Sequence, residues 1–503
     1  MLPAPLTVRF EPPGGGFATP LQVSLRADDP TAQVHYTLDG SLPSSSSATV
    51  TAPIAVGRTT LVRAVAVRGS STGPVANAGY FQLAADARGV RSDLPLMLVH
   101  MRGDAAPSFL SQDKVEALLG VFEPEAGSAQ LQRPAQLTSR IGIKVRGRST
   151  RLQEKHSYTL ELWGAAQEDA PAPLLGLPQD GDWVLYAPYV FDRSLLHNAL
   201  GYAISRSIGR YAPRTQFCEL YLVSDAEQVS SMSYAGVYLL TERITRGAER
   251  VPVQKLQAPD VSEPALTGGY IVQVNEPDAP EEAFMAAGLR FNYVYPKSED
   301  IQPAQKTYIA GYLDSVQRAV SAADGRDPTS GRHYEELIDV ASFIDHHILN
   351  MLIKNPDAFA LSSYFHKARD GKLAAGPLWD LDLAMGADDP FGQRSLDPTH
   401  WGPGADAEMF RRSFWRALFD HAAFERAYWA RWRELLAGPL RISELRALIA
   451  GFERQLAAAE GRNRARWPAS APRDNSFAAE VRALSDWLDQ RVVWIQANLD
   501  RLP

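Results

Sequence analysis

The sequence predicts a multidomain protein: an N-terminal all-β sandwich, a following α+β region and a mainly α-helical C-terminal lobe. Three observations support this fold class. The 503 residues are enough for two or three domains. Short alternating segments fill roughly the first 85 residues. From residue 305 onward, apolar side chains recur at helical spacing.

The N-terminal domain is predicted over residues 1–85. Its alternating segments at 21–25, 33–37 and 60–67 are separated by clusters of Gly, Pro, Asp and Ser, which is typical of short strands joined by turns. Such a pattern indicates a small β-sandwich. A polar linker is expected at about 84–93.

The second domain is predicted over residues 94–503, with an N-terminal half at about 94–300. An apolar run at 94–100 opens it as a buried strand, and further strands are predicted at 141–146, 157–162, 217–223, 236–242 and 268–274. Asp192 is a suitable N-cap for a helix of about four turns. Glu242 ends a buried strand, so a partner such as Lys155 or Arg243 is expected.

The C-terminal half, about 301–503, reads as a helical lobe. Apolar residues share one helix face at Ile309, Tyr312, Leu313 and Val316, and a strict stripe runs near the C-terminus. The stripe consists of Val481, Leu484, Leu488, Val492, Ile495 and Leu499. We interpret it as a docked core helix rather than a membrane or cofactor face.

Composition and charge exclude several function classes. The net charge of −7 and pI of about 5.9 provide no global basic field, so a nucleic acid is not expected as a partner. The single cysteine, Cys218, has no intramolecular disulfide partner and reads as a core strand residue. No apolar run approaches the roughly 20 residues that span a bilayer. The N-terminus lacks the pattern of an export signal, and an export signal that has already been removed is the alternative.

Two aspartates flank a predicted hairpin. Asp357 precedes strand-like residues 363–366, a turn follows at Gly371, and Asp380 comes after the second strand. Because a hairpin brings its ends together, both carboxylates are expected to converge, which suits a divalent cation and a base for phosphoryl transfer. The alternative is ordinary turn chemistry, in which Asp is common.

A second candidate is the cationic loop between the strands at 141–146 and 157–162. Gly147, Ser149 and Thr150 allow close backbone approach to an anion, and four cations surround them: Arg146, Arg148, Arg151 and Lys155. The sequence therefore suggests a phosphate cradle. An exposed hairpin tip with solvated arginines is the alternative reading.

Other motifs carry less support. In Asp345-His346-His347 the adjacent histidines of a helix point about 100° apart, whereas a zinc pair is spaced i, i+4. Neither a G-x-S-x-G elbow, a Walker loop, a Rossmann fingerprint nor a paired Cys-x-x-Cys occurs. Serine hydrolase, P-loop, dinucleotide and zinc-ribbon interpretations therefore lose their main support.

Two family resemblances follow from these motifs. Residues 36–43, YTLDGSLP, resemble the turn of the immunoglobulin-like domain of chitobiase C-terminal type. Residues 94–500 resemble the CotH kinase-like proteins, named for a bacterial spore-coat kinase. The matching stretches are VRGRST at 145–150 with Lys155, DWVL at 182–185, DRSLL at 192–196 with Asn198, GVY at 236–238 with Glu242, Asn355-x-Asp357, and GPLWDLDLAMG at 376–386.

The resemblance implies an atypical protein-kinase-like fold that uses ATP and Mg²⁺ or Mn²⁺ to phosphorylate Ser or Thr of a surface or coat protein. Asp357 is then similar to the catalytic base, and Asp380 to the metal-binding aspartate. Asp382 would share a strand face with Asp380 if the segment is extended, and would hold a second ion. The family asparagine near position 362 is replaced here by Ser362 and Ser363, which weakens the second site. Ser362 is kept as a third candidate metal ligand.

The nucleotide contacts are carried over in the same way. Lys155 resembles the lysine of the α- and β-phosphates, Arg148, Ser149 and Arg151 belong to the phosphate loop, and Glu242 is an acidic partner or nucleotide-pocket residue. This assignment implies that Lys155 faces the two aspartates across a cleft. The resemblance also implies a secreted or cell-surface bacterial protein, with a surface polysaccharide as a candidate partner of the N-terminal domain.

Three alternative functions stay open at this point. Asp380-Leu381-Asp382 also satisfies the D-x-D pattern of metal-dependent glycosyltransferases. The N-terminal sandwich and the missing asparagine suit a non-catalytic adhesion or coat-assembly protein on a kinase-like scaffold. Two aspartates are also compatible with a metal-dependent phosphohydrolase.

Overall fold

The chain forms two compact units. The computed structural model describes residues 5–103, 107–108, 110–111, 113–148, 150–224, 227–276, 283–387, 396–402, 408 and 410–503. Unit 1 comprises Met1–Ala187, Thr215–Glu242 and Gln455–Ala469, and unit 2 comprises Pro188–Arg214, Arg243–Arg454 and Ser470–Pro503. Neither unit is therefore a single continuous stretch of sequence.

Unit 1 begins with the predicted β-sandwich, whose all-β character is confirmed. Its sheets have the strand orders β1-β3-β6 and β2-β9-β7-β4-β5, with β8 paired to β7. The strands are β1 (Val8–Glu11), β2 (Gly15–Phe17), β3 (Leu21–Ala27), β4 (Gln33–Thr37), β5 (Ala48–Thr49), β6 (Ile54–Val56), β7 (Thr60–Arg68), β8 (Ser71–Thr72) and β9 (Ala76–Gln82). Alternating residues of β3 and β7 fill the space between the sheets.

The second part of unit 1 is a closed barrel of strand order β11-β12-β14-β15-β18-β20-β19. The strands are β10 (Arg91–Ser92), β11 (Leu96–Met101), β12 (Val115–Phe122), β13 (Ala129–Gln130), β14 (Leu137–Arg146), β15 (Ser157–Trp163), β16 (Ala172–Leu174), β17 (Leu177–Asp180), β18 (Asp182–Tyr186), β19 (Thr215–Val223) and β20 (Tyr234–Glu242). Parallel pairing of β11 with β19 closes the barrel. Cys218 is buried on β19, as predicted, and burial raises its pKa to about 12.

A hydrophobic cluster joins the sandwich to the barrel. Phe81 of β9 packs with Leu118 and Phe122 of β12, and all three are essentially inaccessible to solvent. A Cβ on Gly120 would lie 2.6 Å from the Phe81 ring, so only glycine admits this approach. Ala87, in the segment predicted as a polar linker, is buried in the same cluster. That segment is therefore packed rather than a free spacer.

A buried arginine also joins the two parts of unit 1. Arg63 of β7 is 1% exposed and donates to the carbonyl oxygens of Gly40 at 2.5 Å and Ala165 at 2.6 Å. Arg140 of β14 donates to the same Ala165 oxygen at 3.0 Å and pairs with Glu116. The loop after β15 is thus held by guanidinium groups from both the sandwich and the barrel.

Unit 2 contains a five-stranded sheet and most of the helices. The sheet has the order β22-β23-β21-β24-β25, with β21 (Tyr270–Val274), β22 (Ala283–Ala286), β23 (Leu289–Tyr295), β24 (Ser363–Lys367) and β25 (Leu373–Ala375). The helices of the described residues are α1 (His197–Ser207), α2 (Pro303–Ser321), α3 (Tyr334–Leu337), α4 (Val340–Ile353), α5 (Trp415–Leu418), α6 (Ala422–Ala437), α7 (Ile442–Leu456), α8 (Glu460–Arg466) and α9 (Phe477–Ala497). Helix α8 belongs to unit 1, and α7 ends there.

The core of unit 2 forms around α4, which is buried along almost its whole length. Its His347 ring stacks on Phe359 at 5.1 Å and meets Phe410 and Tyr428 edge to face. The predicted apolar faces of α2 and α9 are buried, which confirms the helical C-terminal lobe, except that Leu499 of the predicted stripe lies beyond the end of α9 and is half-buried. No helix among the described residues is long and apolar enough to cross a membrane.

A buried aspartate stabilises the loop that follows α2. Asp327 accepts two hydrogen bonds from Arg318, at 2.7 and 3.1 Å, and one each from the Ser315 and Ser330 hydroxyls, at 2.7 Å. The backbone N–H of Thr329 is a further donor. These contacts, that with Arg318 first, hold the pKa of Asp327 far below its ordinary value of 3.8.

We predict that Phe81→Ala destabilises both the sandwich and the barrel. The expected loss is about 3–5 kcal/mol, because the ring leaves a cavity in their common core. The loss of stability is measured by denaturant unfolding, and hydrogen exchange at β12 and β14 shows whether it reaches the barrel. Leu42→Ala, at a side chain that is 50% exposed, is the control and should change stability little. Undiminished protection of β12 in Phe81→Ala would contradict a shared core.

We predict that Asp327→Asn lowers the free energy of unfolding by about 2 kcal/mol near pH 7, because an amide replaces a buried, charge-paired acceptor. A depressed folded-state pKa stabilises the native state above about pH 4, and this stabilisation disappears as the pH falls through and below that value. The difference in unfolding free energy between wild type and variant should therefore narrow as the pH falls from about 5 to about 3, and close fully only at the much lower folded-state pKa. Urea unfolding from pH 7 to pH 3 tests this, with exposed Asp324→Asn as control; a pH-independent difference would contradict it.

Candidate functional site

A β-hairpin in unit 2 brings the two predicted aspartate segments together. Strands β24 and β25 are antiparallel, with Phe365 opposite Ala375 and Lys367 opposite Leu373. The turn between them includes Asp370, in left-handed backbone conformation, and Gly371. At the open end of the hairpin the Ser362 hydroxyl donates to Asp380 Oδ2 at 3.0 Å. The predicted hairpin is therefore confirmed, and its ends meet.

Asp380 occupies an unusual backbone conformation. Its φ is +63°, a region that Asp and Asn tolerate better than other residues with a Cβ. The Asp380 N–H donates to the Tyr202 hydroxyl at 3.3 Å, and the Tyr202 ring stacks on Trp379 with centroids 6.1 Å apart. Helix α1 thus supports the backbone on both sides of this carboxylate.

The segment after Asp380 is held against the start of α1. The Leu381 N–H donates to Asn198 Oδ1 at 3.0 Å, and His197 Nδ1 lies 3.2 Å from the Asp382 carbonyl oxygen. Residues 380–381 are irregular and residues 382–383 form a turn, so none of them is in a strand. The condition under which Asp380 and Asp382 would share a strand face is therefore not met, and tertiary contacts with α1 position Asp382 instead.

Asp192 adds a further carboxylate to this region. It is 1% exposed and accepts hydrogen bonds from the N–H groups of Leu196 and His197, both at 3.0 Å, and from the Ser194 hydroxyl at 2.8 Å. The predicted helix start was wrong, since α1 begins at His197 and has 11 residues. Asp192 nevertheless accepts hydrogen bonds from the first N–H groups of this helix, although it is not the N-cap residue.

Electrostatics show that these aspartates form a cluster. Asp382 is buried, and burial raises its pKa well above the ordinary value of 3.8. The carboxylates of Asp380, Asp357 and Asp192 raise it further by charge repulsion, in that order. We name these four residues the aspartate cluster. All four belong to unit 2.

Asp357 reaches the cluster from the C-terminal end of α4. Lys354 ends this helix in the left-handed conformation, and the side chain of Asn355 accepts the Asp357 N–H at 3.2 Å. Asn355 is held in turn by Asn350 at 3.0 Å. The Asp357 side chain is half-buried, so it remains accessible to a small molecule or a substrate hydroxyl.

The donor set suits a hard divalent cation, with carboxylate and hydroxyl oxygens at Asp357, Ser362, Asp380 and Asp382. Among the described residues, however, no three His, Cys, Asp or Glu side chains converge as a ready metal-binding group. Both findings are compatible, because charge repulsion acts over longer distances than coordination bonds. The arrangement fits an ion held by one or two carboxylates together with water and phosphate oxygens.

Lys155, the predicted phosphate-contacting lysine, lies in unit 1. The residue is 1% exposed, and its ammonium group donates to the Val237 carbonyl oxygen at 2.7 Å and to Asn463 Oδ1 at 3.0 Å. It also lies 5.0 Å from the centre of the Tyr238 ring. Lys155 therefore joins β20 to α8, and its role in phosphate binding stays a prediction.

The predicted phosphate loop is also part of unit 1. Gly147 has a φ of +101°, and a Cβ there would lie 2.2 Å from Thr150 Oγ1, so the tight turn requires glycine. Arg148 is exposed. Arg151 is half-exposed and lies in a short 3₁₀-helix, Thr150–Leu152. Ser149 lies outside the described residues. Glu242 is fully buried at the end of β20, opposite Trp183. Nucleotide binding by these residues stays a prediction.

The histidine pair of α4 is in the core of unit 2. His347 lies 2.9 Å from the Tyr428 hydroxyl and 2.8 Å from the Phe410 carbonyl oxygen. Burial lowers the pKa of both His346 and His347 to about 3. Their neighbour Asp345 pairs with Arg210 and Arg431. These contacts account for His347 and Asp345 without a metal ion.

Comparison with protein families identifies two matching regions. Residues 143–495, more than half of the chain, match the family described as CotH kinase protein. The chain belongs to the CotH kinase protein family. Residues 12–76 match the chitobiase/beta-hexosaminidase C-terminal domain, as the YTLDGSLP turn predicted. No curated protein matched the chain. The aspartate cluster, at positions 192–382, lies wholly within the CotH match.

Sequence reasoning missed several residues of the site. Asp192 was interpreted only as a helix cap, and Asn198 and Tyr202 had no predicted role. A signal was present for Asp192 and Asn198, because both belong to stretches that resemble CotH proteins. Nothing in the sequence indicated Tyr202, whose contact with Asp380 depends on how α1 packs.

We predict that Lys155→Met lowers the stability of unit 1 by about 1–3 kcal/mol, because two buried acceptors lose a charged donor. Thermal and denaturant unfolding measure the loss. Exposed Arg148→Met is the control and should leave stability unchanged. An unaltered unfolding midpoint for Lys155→Met would contradict the structural role and leave phosphate binding as the better explanation of this lysine.

Proposed function

We propose that this CotH-family chain is an ATP-dependent phosphotransferase that phosphorylates Ser or Thr hydroxyls of a surface or coat protein. The observation that carries the proposal is the aspartate cluster, in which Asp382 is buried beside three further carboxylates. So much negative charge in one place is costly unless a cation or protons compensate it. A secreted or cell-surface location is part of the same proposal.

The proposal gives each carboxylate a separate task. Half-buried Asp357 orients the substrate hydroxyl and accepts its proton. Asp380 holds Mg²⁺ or Mn²⁺, with Ser362 fixing the direction of its carboxylate. Asp382 is a further candidate ligand. When bound, ATP would supply the phosphoryl group and the cation would neutralise the charge that develops during transfer.

Other residues of unit 2 keep these groups in place. Asn355 fixes the turn that carries Asp357, and Asn198 and Tyr202 hold the backbone around Asp380. Such preorganisation is the main contribution a protein makes to phosphoryl transfer. The assignment of Lys155, Arg148, Ser149, Arg151 and Glu242 to the nucleotide phosphates and pocket remains part of the proposal.

We predict that Asp380→Asn abolishes metal-dependent ATP turnover and leaves the fold intact. Asparagine tolerates the left-handed backbone, and removing one of several like charges does not destabilise the cluster. The measurement is transfer of ³²P from γ-labelled ATP to the chain itself, with Mg²⁺ or Mn²⁺, together with the thermal midpoint. Exposed Asp300→Asn is the matched control. Wild-type turnover in Asp380→Asn would refute the metal assignment.

For Asp357→Asn we predict that ATP binding survives while transfer fails by at least 100-fold, as expected for loss of a general base. Binding is measured as the shift of the thermal midpoint by ATP and Mn²⁺. Phosphate release without transfer to protein would favour a phosphohydrolase, and stabilisation by a nucleotide sugar in place of ATP would favour a glycosyltransferase. If wild type showed no ATP binding and no turnover, the result would favour a non-catalytic coat or adhesion protein.

A further inference from the structure

One side of helix α1 holds the backbone of residues 380–382, which include two of the clustered aspartates. Three side chains of the helix each meet one polar backbone group of this segment. The Tyr202 hydroxyl accepts the N–H of residue 380 at 3.3 Å, Asn198 Oδ1 accepts the N–H of residue 381 at 3.0 Å, and His197 Nδ1 lies 3.2 Å from the carbonyl oxygen of residue 382. The helix therefore fixes three successive residues that are at least 178 positions away in the sequence.

Gly201 lies on the same side of α1 as these contacts, because positions 197, 198, 201 and 202 follow the i, i+4 spacing of one helix face. The Leu381 side chain is 0% exposed and packs where a side chain at position 201 would begin. A Cβ on Gly201 would lie only 2.2 Å from Leu381 Cδ1, whereas Cβ atoms essentially never come closer than 3.0 Å to another heavy atom. Any residue larger than glycine would therefore displace Leu381.

Glycine is unfavourable for the helix itself. Gly201 is the fifth residue of α1, and glycine inside a helix lowers its stability relative to alanine, because more backbone freedom is lost on folding. Gly311 of α2 and Gly451 of α7 have nothing within 4 Å of their Cβ positions. At position 201, in contrast, Leu381 fills this place. The contact with Leu381 thus gives a physical reason for a residue without a side chain.

A displaced Leu381 would turn the carboxylates on either side of it. The backbone of Asp380 has a φ of +63°, and the N–H groups of residues 380 and 381 are both bound by α1. This segment therefore cannot absorb a shift of the Leu381 side chain without losing one of these hydrogen bonds. Since Mg²⁺ requires near-ideal ligand geometry, a small rotation of Asp380 or Asp382 is enough to weaken an ion site.

We propose that Gly201 and Leu381 form a steric pair that sets the directions of the Asp380 and Asp382 carboxylates. Gly201 is a positioning residue: its missing side chain admits Leu381, and Leu381 aligns the two aspartates that flank it. The pairing itself stands on the contacts of α1, whereas its consequence for a metal ion rests on the proposed function. The middle residue of the D-x-D segment is therefore restricted in size.

The first test is Gly201→Ala, which adds one methyl group against Leu381. We expect peptides that cover residues 379–385 to exchange amide hydrogen at least about tenfold faster, because their N–H groups lose acceptors on α1. Mn²⁺ alone, followed by the EPR signal of the free ion, should bind at least about tenfold more weakly, as is typical when the support of a ligand is lost. Wild-type exchange in Gly201→Ala would overturn the proposal.

Gly311→Ala is the matched control for this experiment. It adds the same methyl group to the interior of helix α2, where nothing lies within 4 Å of the new atom. Both variants replace a helical glycine with a better helix former, so helix propensity changes in the same direction in each. Gly311→Ala should therefore exchange hydrogen at 379–385 and bind Mn²⁺ like wild type, and the same losses in Gly311→Ala would refute the proposal.

A compensating variant separates the steric pair from a general loss of stability. Leu381→Val removes Cδ1, while the Cβ and Cγ positions of residue 381 lie 3.9 and 3.6 Å from a Cβ at position 201, which is ordinary van der Waals contact. In the double variant Gly201→Ala, Leu381→Val the added methyl group takes the place of the deleted one. Exchange and Mn²⁺ affinity should return to within about threefold of wild type. A double variant no better than Gly201→Ala alone would refute the steric pair.

The two readouts distinguish failure of this proposal from failure of the proposed function. If wild type bound no Mn²⁺, the metal assignment of Asp380 would be refuted, and hydrogen exchange in the variants would still decide whether Gly201 and Leu381 hold residues 380–382. If exchange became faster in Gly201→Ala while Mn²⁺ affinity stayed that of wild type, the carboxylate directions would not depend on the pair and the proposal would be wrong.

Discussion

The mutual repulsion of the aspartate cluster is the constraint on which the organisation of unit 2 depends. Like charges do not gather in a buried place unless the surrounding structure compels them to. Here the hairpin β24–β25 joins Ser362 to Asp380, and α1 holds residues 380–382 through Asn198 and Tyr202. Asp192 is stabilised by two backbone N–H groups. The fold thus retains a charge arrangement that, by itself, would push its members apart.

Unit 1 illustrates a different kind of dependence. An N-terminal sandwich that matches a common accessory domain would ordinarily be taken as a spacer. In this chain Phe81 shares a core with Phe122 of the barrel, and Arg63 binds the loop after β15. The sandwich therefore contributes to the stability of the lobe that carries Lys155. Deleting it would expose apolar surface of the barrel, so its presence has a structural reason apart from any ligand.

The sequence by itself determined the local elements and the family. The stripe from Val481 to Ile495 specifies a helix directly, because its periodicity reflects which side chains are buried. The alternating run at 60–67 specifies a strand, although residues 61–66 are all buried and both faces of the strand are therefore covered. The hairpin between Asp357 and Asp380 was likewise predictable, since its turn is local. Only tertiary structure decided that β11 pairs with β19 to close a barrel, that Lys155 is buried between β20 and α8, and that Asp192 joins the cluster. These contacts join segments that are distant in the chain, and no local pattern encodes which distant surfaces meet.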